Sequence, residues 1–337
     1  MHEYPHVGLS EDWYNDRLGV SFDEDFWIDP VRRTENYMQL EYETAKKYPW
    51  LGLGNLNPKA SPSASDQYSH RFMAKLFGCE IVYTENQAPS AMSLNLDIDE
   101  LAEIQMPDLH KNEVLKKAIS DADILRRKYG YVSGGINTGS PLNVAVTVFG
   151  ESFLASCACE PDIARHILMV IAKTTIRLIY EFCQFVEPDY PISPLNFGIG
   201  NCPAVMFSPE LYRKVILPVD LWLRQQCDGF GIHHCGIFDN YAELYTELNP
   251  TGLDVGGLSN YRKLRKYFPN TMCSYIINPE SIEGQTREHI DEVIRGVILD
   301  GGPVNNISYM HSYSVSKNIT DDNIIDYRTS AKRQNLI

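Results

Sequence analysis

The chain has 337 residues, 44% hydrophobic and 22% charged, a globular composition long enough to bury a large core. Thirty Lys and Arg against forty-four Asp and Glu leave a net charge of -14. That balance argues against a nucleic-acid or anionic-membrane surface, since both need clustered basic side chains. The amino terminus lacks a basic segment followed by an apolar run, and the longest uncharged stretch, 130–150, is broken by Ser, Asn, Thr, Pro and Gly. Neither an export signal nor a spanning helix is therefore expected, and the cytoplasm is the expected compartment. Eight cysteines at 79, 157, 159, 183, 202, 227, 235 and 273 lack the compact spacing of a disulfide framework. They read as reduced thiols, buried or ligating.

Residues 1–75 read as an irregular, aromatic-rich extension containing one helix opened by Asp29-Pro30. A strand over 80–83 follows, with Asn86 and Gln87 placed beyond its end. From Asn112 the signals alternate. Helical spacing runs over 112–129 and stops at Gly130, and 131–136 reads as extended. Pro161 opens a long amphipathic helix, 195–199 is extended, and Ser208-Pro209-Glu210 caps a helix to Gln226 that should bend at Pro218. Extended segments at 229–233, 252–255, 271–277 and 304–308 then alternate with helices at 241–248, 260–267, 287–299 and 321–332. Such alternation predicts a parallel sheet. In the absence of a phosphate-binding glycine fingerprint, a closed (β/α)8 barrel over 76–337 is the economical fold, with 1–75 packed on it as an extension of a single domain.

In a barrel the chemistry belongs at the carboxyl ends of the strands. The polar residues expected there are Asn137, Asn201-Cys202, His233-His234-Cys235, Asp254, Asn278 and Tyr309-Met310-His311. Side chains two apart on a strand share a face, so His233 and Cys235 point together and His234 points away. An imidazole and a thiolate are two of the four donors that tetrahedral zinc prefers, although a barrel histidine beside a small buried thiol would give the same pattern. Twenty Tyr, thirteen Phe and four Trp could line an aryl-ether pocket, with Tyr275, Tyr309 and Tyr313 near strand ends; core packing is their commoner use.

The run His233-His234-Cys235-Gly236, then Gly252-Leu253-Asp254-Val255, then Ile277-Asn278-Pro279-Glu280, resembles a series of motifs of the uroporphyrinogen decarboxylase superfamily. Ser208-Pro209-Glu210 through Pro218, and the glycine-rich 134–150 segment with Gly139-Ser140-Pro141-Leu142, are similar to two more of its segments. The resemblance spans about Gly130 to the carboxyl terminus and implies a distorted (β/α)8 barrel. The Arg-Gln-Ala-Gly-Arg-like segment with which the decarboxylases grip propionates is missing; Arg32-Arg33 stands in a different context. The His-x-Cys pair instead resembles the branch of zinc-dependent methyltransferases that work with corrinoid proteins on methanol, methylamine, methyl halide or methoxyaromatic substrates.

That resemblance implies Zn2+ at His233 and Cys235, a corrinoid (cobalamin) co-substrate carried by a partner protein, and a small methylated substrate, with homo-oligomerisation open. One departure stands out. Where the branch has a third cysteine after the last strand, this chain has Ser308-Tyr309-Met310-His311. Cys202 or His311 could take that place. Asp254 and His311 are the candidate catalytic groups, and Asn137, Asn278 and Tyr309 the candidate cofactor contacts; Glu280 fits a loop cap better than a ligand. A site poorer in thiolate is a stronger Lewis acid, which favours demethylation of the substrate over methylation of a thiol. A metal-free lyase on the same barrel and a non-catalytic partner of a corrinoid protein are the competing readings.

Overall fold

The computed structural model describes residues 5–132, 135–186, 195–302 and 307–334. Eight strands occur among them: β1 (His6–Leu9), β2 (Glu80–Thr84), β3 (Gln87–Met92), β4 (Asn196–Gly200), β5 (Gly229–His234), β6 (Gly252–Val255), β7 (Met272–Ile276) and β8 (Ile307–Val315). One sheet runs in the order β1-β8-β7-β6-β5-β4, and its pairings from β1 through β5 are parallel. Sequence-consecutive strands lie side by side, and the first strand pairs with the last, as a (β/α)8 barrel requires. The architecture is mixed α/β with a six-stranded sheet, consistent with a distorted barrel; eight barrel strands are not present among the described residues.

Two expected strands account for the difference. Residues 80–83 do form β2, but it pairs antiparallel with β3, and Thr84 faces Gln87 across a two-residue turn. Asn86 and Gln87 therefore belong to a hairpin rather than to the end of a barrel strand. Pro89 lacks an N–H and is tolerated in so small a sheet. Of the expected strand 131–136, residues 133 and 134 lie outside the described residues, and 131, 132, 135 and 136 form no strand; glycine at 135 weakens any preference for a pleated backbone. Conversely, His6–Leu9 in the expected extension is the sheet's edge strand, its His6 in register with His311. The final strand runs on to Val315, past its expected end, so His311 lies inside it rather than after it; 304–306 lie outside the described residues.

The described helices match the capping signals closely. Asn112 accepts from Val114 N at the head of Glu113–Tyr129, and Gly130 closes that helix with φ +83°. Thr320 accepts from Asn323 N to cap Asp321–Arg333. The bend expected at Pro218 arrives one turn early, as a wider π-type turn over Tyr212–Ile216 that runs into Leu217–Gln225. Pro218 cannot donate to the carbonyl of Lys214, which instead accepts from Arg165 Nη1 at 3.3 Å.

The chain divides into two compact units. The first takes Met1–Val20, Leu40–Asn57 and Phe230–Ile337. Its core is built from Phe230, Ile232, Leu253, Val255, Tyr275 and Met310 of the strands, with Ile294 and Val297 of Arg287–Gly301 and Ile324 and Tyr327 of Asp321–Arg333. The second takes Ser21–Gln39 and Pro58–Gly229, with buried Phe149, Phe153, Ile167, Leu168 and Ile171 contributed by the long helices Pro141–Cys159 and Pro161–Val186. Pro141–Cys159 is the one helix among the described residues long and apolar enough to cross a membrane. It extends the uncharged 130–150 stretch past Glu151. Leu142, Ala145, Val148, Phe149, Phe153 and Cys157 on it are buried within the protein, and Gly150 interrupts its helical backbone with φ +52°. Both features are those of a core helix.

Candidate functional site

The first unit assembles its polar centre on three strands. His233 and Asp254 are register partners on β5 and β6, so their side chains leave the same face of the sheet at the spacing of neighbouring strands. The two meet through His233 Nδ1 and Asp254 Oδ2 at 2.6 Å, and His311 Nε2 of β8 lies 2.7 Å from Oδ1 of the same carboxylate. Burial alone would raise the Asp254 pKa, but the hydrogen bonds and charges of His233 and His311 outweigh it and hold the value at about 2. An ionised carboxylate only accepts, so each imidazole donates its facing N–H. The Nε2 of His233 is then the nitrogen that would ligate a metal. His311 is fully buried, and its ring packs against Tyr313 with centroids 4.3 Å apart.

The neighbouring His234 faces the other way, as strand alternation requires. It is fully buried and pairs through Nδ1 with Tyr245 Oη at 2.9 Å, amid Phe238 and Tyr241. Burial, then the nearby His233, pulls its pKa down to about 4, so it stays neutral at physiological pH.

Cys235 follows β5 and is exposed. Its Sγ and a ring nitrogen of His233 lie within 4.8 Å of one another, a separation that two ligands of one ion can adopt. Its position is set from the next strand. Gly256 N donates to His234 O at 2.8 Å, and a Cβ on Gly256 would come 2.2 Å from Cys235 O and 2.4 Å from Gly236 O. Only glycine lets the turn after β6 pack this closely on the turn that carries the thiol.

The second unit holds Cys202, at the start of the 3-10 turn Cys202–Met206 that follows β4. A buried network stands directly before it. Asn201 Nδ2 donates to Asp220 Oδ2 at 2.9 Å, and Tyr212 Oη donates to the same oxygen. Asp220 is almost completely buried, and desolvation overrides both hydrogen bonds to push its pKa up to about 6. An acid whose folded value lies above its unfolded one costs stability as pH rises from about 4 through 6. Asp220→Asn keeps an acceptor for both donors, so it should flatten that pH dependence. Denaturant midpoints should show a gain on the order of 1–2 kcal/mol at pH 8 and little change at pH 4.

The same unit encloses a cavity of about 370 Å3 whose lining includes Arg71, Asn137, Asn143, Thr147 and Cys202. Asn137 is thus placed at this cavity, in the segment preceding Pro141–Cys159. In the first unit, Asn278 follows β7 and starts the turn Pro279–Ser281, its backbone carbonyl accepting from Ser281 N at 2.9 Å. The Tyr309 side chain lies outside the described residues, as does that of Cys183. Tyr275 is core: its Oη donates to Gly301 O at 2.7 Å and its ring meets Tyr261 edge-on. Glu280 is an exposed turn residue whose carbonyl accepts from Gln285. Among the described cysteines, Cys79, Cys157, Cys227 and Cys273 are buried and Cys159 is exposed.

Arg71, Asn143 and Asp220 had no place among the sequence-derived candidates. Arg71 follows an irregular loop with no motif around it. Asp220 did leave a trace, as a charge on the otherwise apolar face formed by Leu217, Val219 and Leu223.

No protein-family profile matches the chain, and no curated protein matches it. Solved structures do. The chain is similar to a methyltransferase from Methanosarcina mazei, with a TM-score of 0.64 and 13% identity over 100% of this chain and 95% of that one. It is also similar to a B12-independent methionine synthase from Shewanella sp. W3-18-1 in complex with selenomethionine, with a TM-score of 0.51 and 10% identity over 98% of each chain. At these identities the likeness is one of fold.

Proposed function

We propose that the protein is a zinc-dependent methyltransferase that moves a methyl group between a small methylated substrate and a corrinoid carried by a partner protein. The observation that carries this reading is the donor set. A ring nitrogen of His233 and the Sγ of Cys235 lie within 4.8 Å of one another, and with Cys202 as the proposed third donor they make the soft, tetrahedral complement that suits zinc and leaves a position for substrate. The fold shared with a methyltransferase over the whole chain supports the same reaction class.

The residues present fit the ion chemically. Asp254 fixes the His233 tautomer through Nδ1, which is how protein-held zinc ligands are oriented. His311, donating to the other oxygen, keeps that carboxylate ionised and in place. Cys202 takes the part of the third donor, the cysteine that the last strand lacks, and His311 is committed to Asp254 instead. When bound, zinc supplies Lewis-acid polarisation of the substrate heteroatom. Asn137, Asn278 and Tyr309 are the proposed contacts to the corrinoid.

The test is transfer of a methyl group from candidate methoxy, methylamino and methylthio donors to cob(I)alamin, followed by its absorbance. Chelation should reduce the rate by about a hundredfold or more, and stoichiometric zinc should restore it. Activity that survives complete removal of zinc overturns the reading.

A further inference from the structure

The cavity of the second unit contains a charge that nothing in the proposed zinc chemistry uses. Of its described lining residues, Arg71 alone carries a permanent positive charge. Its single hydrogen bond among the described residues is a long one, from Nη1 to Thr147 Oγ1 at 3.4 Å, and its Nε is buried without a partner. No carboxylate lines the cavity among the described residues. A partly desolvated guanidinium without a counter-ion is costly unless a ligand completes it.

A second feature has the same sign. The helix Pro141–Cys159 begins at the cavity, where Asn143 and Val144 of its first turn form part of the wall. Helix amino termini favour negative charge. Asn143 is itself fixed there, its Nδ2 donating to Gly200 O at 2.9 Å. At about 370 Å3 the space suits a small molecule, near the lower end of the ~300–1,000 Å3 usual for ligand sites.

The geometry points to Arg71 as the anchor for a carboxylate on the substrate, which is then a small methoxy or methylthio acid. This inference rests on the methyltransferase reading for what the molecule does, while its binding stands on the cavity alone. One guanidinium offers a planar fork that matches a single carboxylate. A dianionic phosphate would need further cations, and the net charge of -14 repels it. Cys202 in the same wall brings the acid beside a proposed zinc ligand.

Calorimetric titration of methoxyacetate and (methylthio)acetate, each against its primary amide, tests this on zinc-loaded and zinc-stripped protein. The acids should bind about tenfold or more tightly than the amides. Arg71→Gln should abolish that preference while leaving zinc content unchanged, and Arg71→Lys should retain part of it. If Arg71→Gln fails to fold, the acid-to-amide ratio of the unmodified protein and of Arg71→Lys decides. Equal binding of acid and amide, no binding of either acid, or inorganic phosphate competing as well as the acids would each overturn the inference. Acid preference in a protein that holds no zinc would retain the anchor and sink the metal reading; zinc without acid preference would do the reverse.

Discussion

His233→Ala and Cys235→Ser should each bring zinc content from about one ion per chain to near zero, with methyl transfer to cob(I)alamin falling about a thousandfold. A tetrahedral site keeps three protein donors and one exchangeable position, so losing any donor leaves too few bonds to hold the ion against water. Metal analysis of purified variants beside the cobalamin assay checks it. The fold should survive, because Cys235 is exposed and His233 half-exposed, and neither carries the buried contacts that Phe230 and Ile232 supply on the same strand. Normal zinc content in both variants would remove them from the metal.

Asp254→Ala carries the second large effect, and it reads out in two ways. Its carboxylate is the common acceptor for His233 and His311, so removal frees both rings and leaves the fully buried His311 short of its partner. Zinc affinity should drop about 10- to 100-fold, the usual consequence of losing a group that orients a ligating histidine. Stability should change as well. The folded pKa of about 2 lies below the ordinary carboxylate value, so the stabilisation is complete above about pH 4 and disappears as pH falls toward 2. At neutral pH the loss should be on the order of 2 kcal/mol, and at pH 2 the variant and parent should nearly coincide. Asp254→Asn separates positioning from packing. It preserves volume but donates at one oxygen's place, forcing one imidazole to accept. If that ring is His233, its Nε2 carries the proton and cannot ligate, so affinity falls with little change in thermal midpoint.

The parts of this centre that were legible in the sequence are those governed by local rules. Two-residue alternation placed His233 and His234 on opposite faces, and the structure buries only the latter among aromatic rings. The cap at Ser208 was legible because it supplies a side-chain acceptor to the first turn that follows it. Failures came where distance along the chain decides. Nothing local in His6–Leu9 announces a partner some three hundred residues away, yet it pairs with β8. Glu80–Thr84 reads as a barrel strand in isolation, and only its turn with Gln87 sends it into a hairpin. The His233–Asp254–His311 arrangement is a product of strand order, so spacing could nominate its members without showing that one carboxylate binds both rings. Arg71 was invisible for the opposite reason: its significance lies in the partners its surroundings withhold.

The glycine at 256 shows how narrowly the sulfur of Cys235 is seated. Two successive turns rest backbone on backbone there, with less clearance than one carbon atom requires. The location of the proposed ligand is consequently dictated by a residue that would never touch the ion. Lengthening or enlarging either loop in isolation would lift the thiol from its seat, so the two loops can diverge only in concert. This ties the evolution of one strand connection to that of its neighbour.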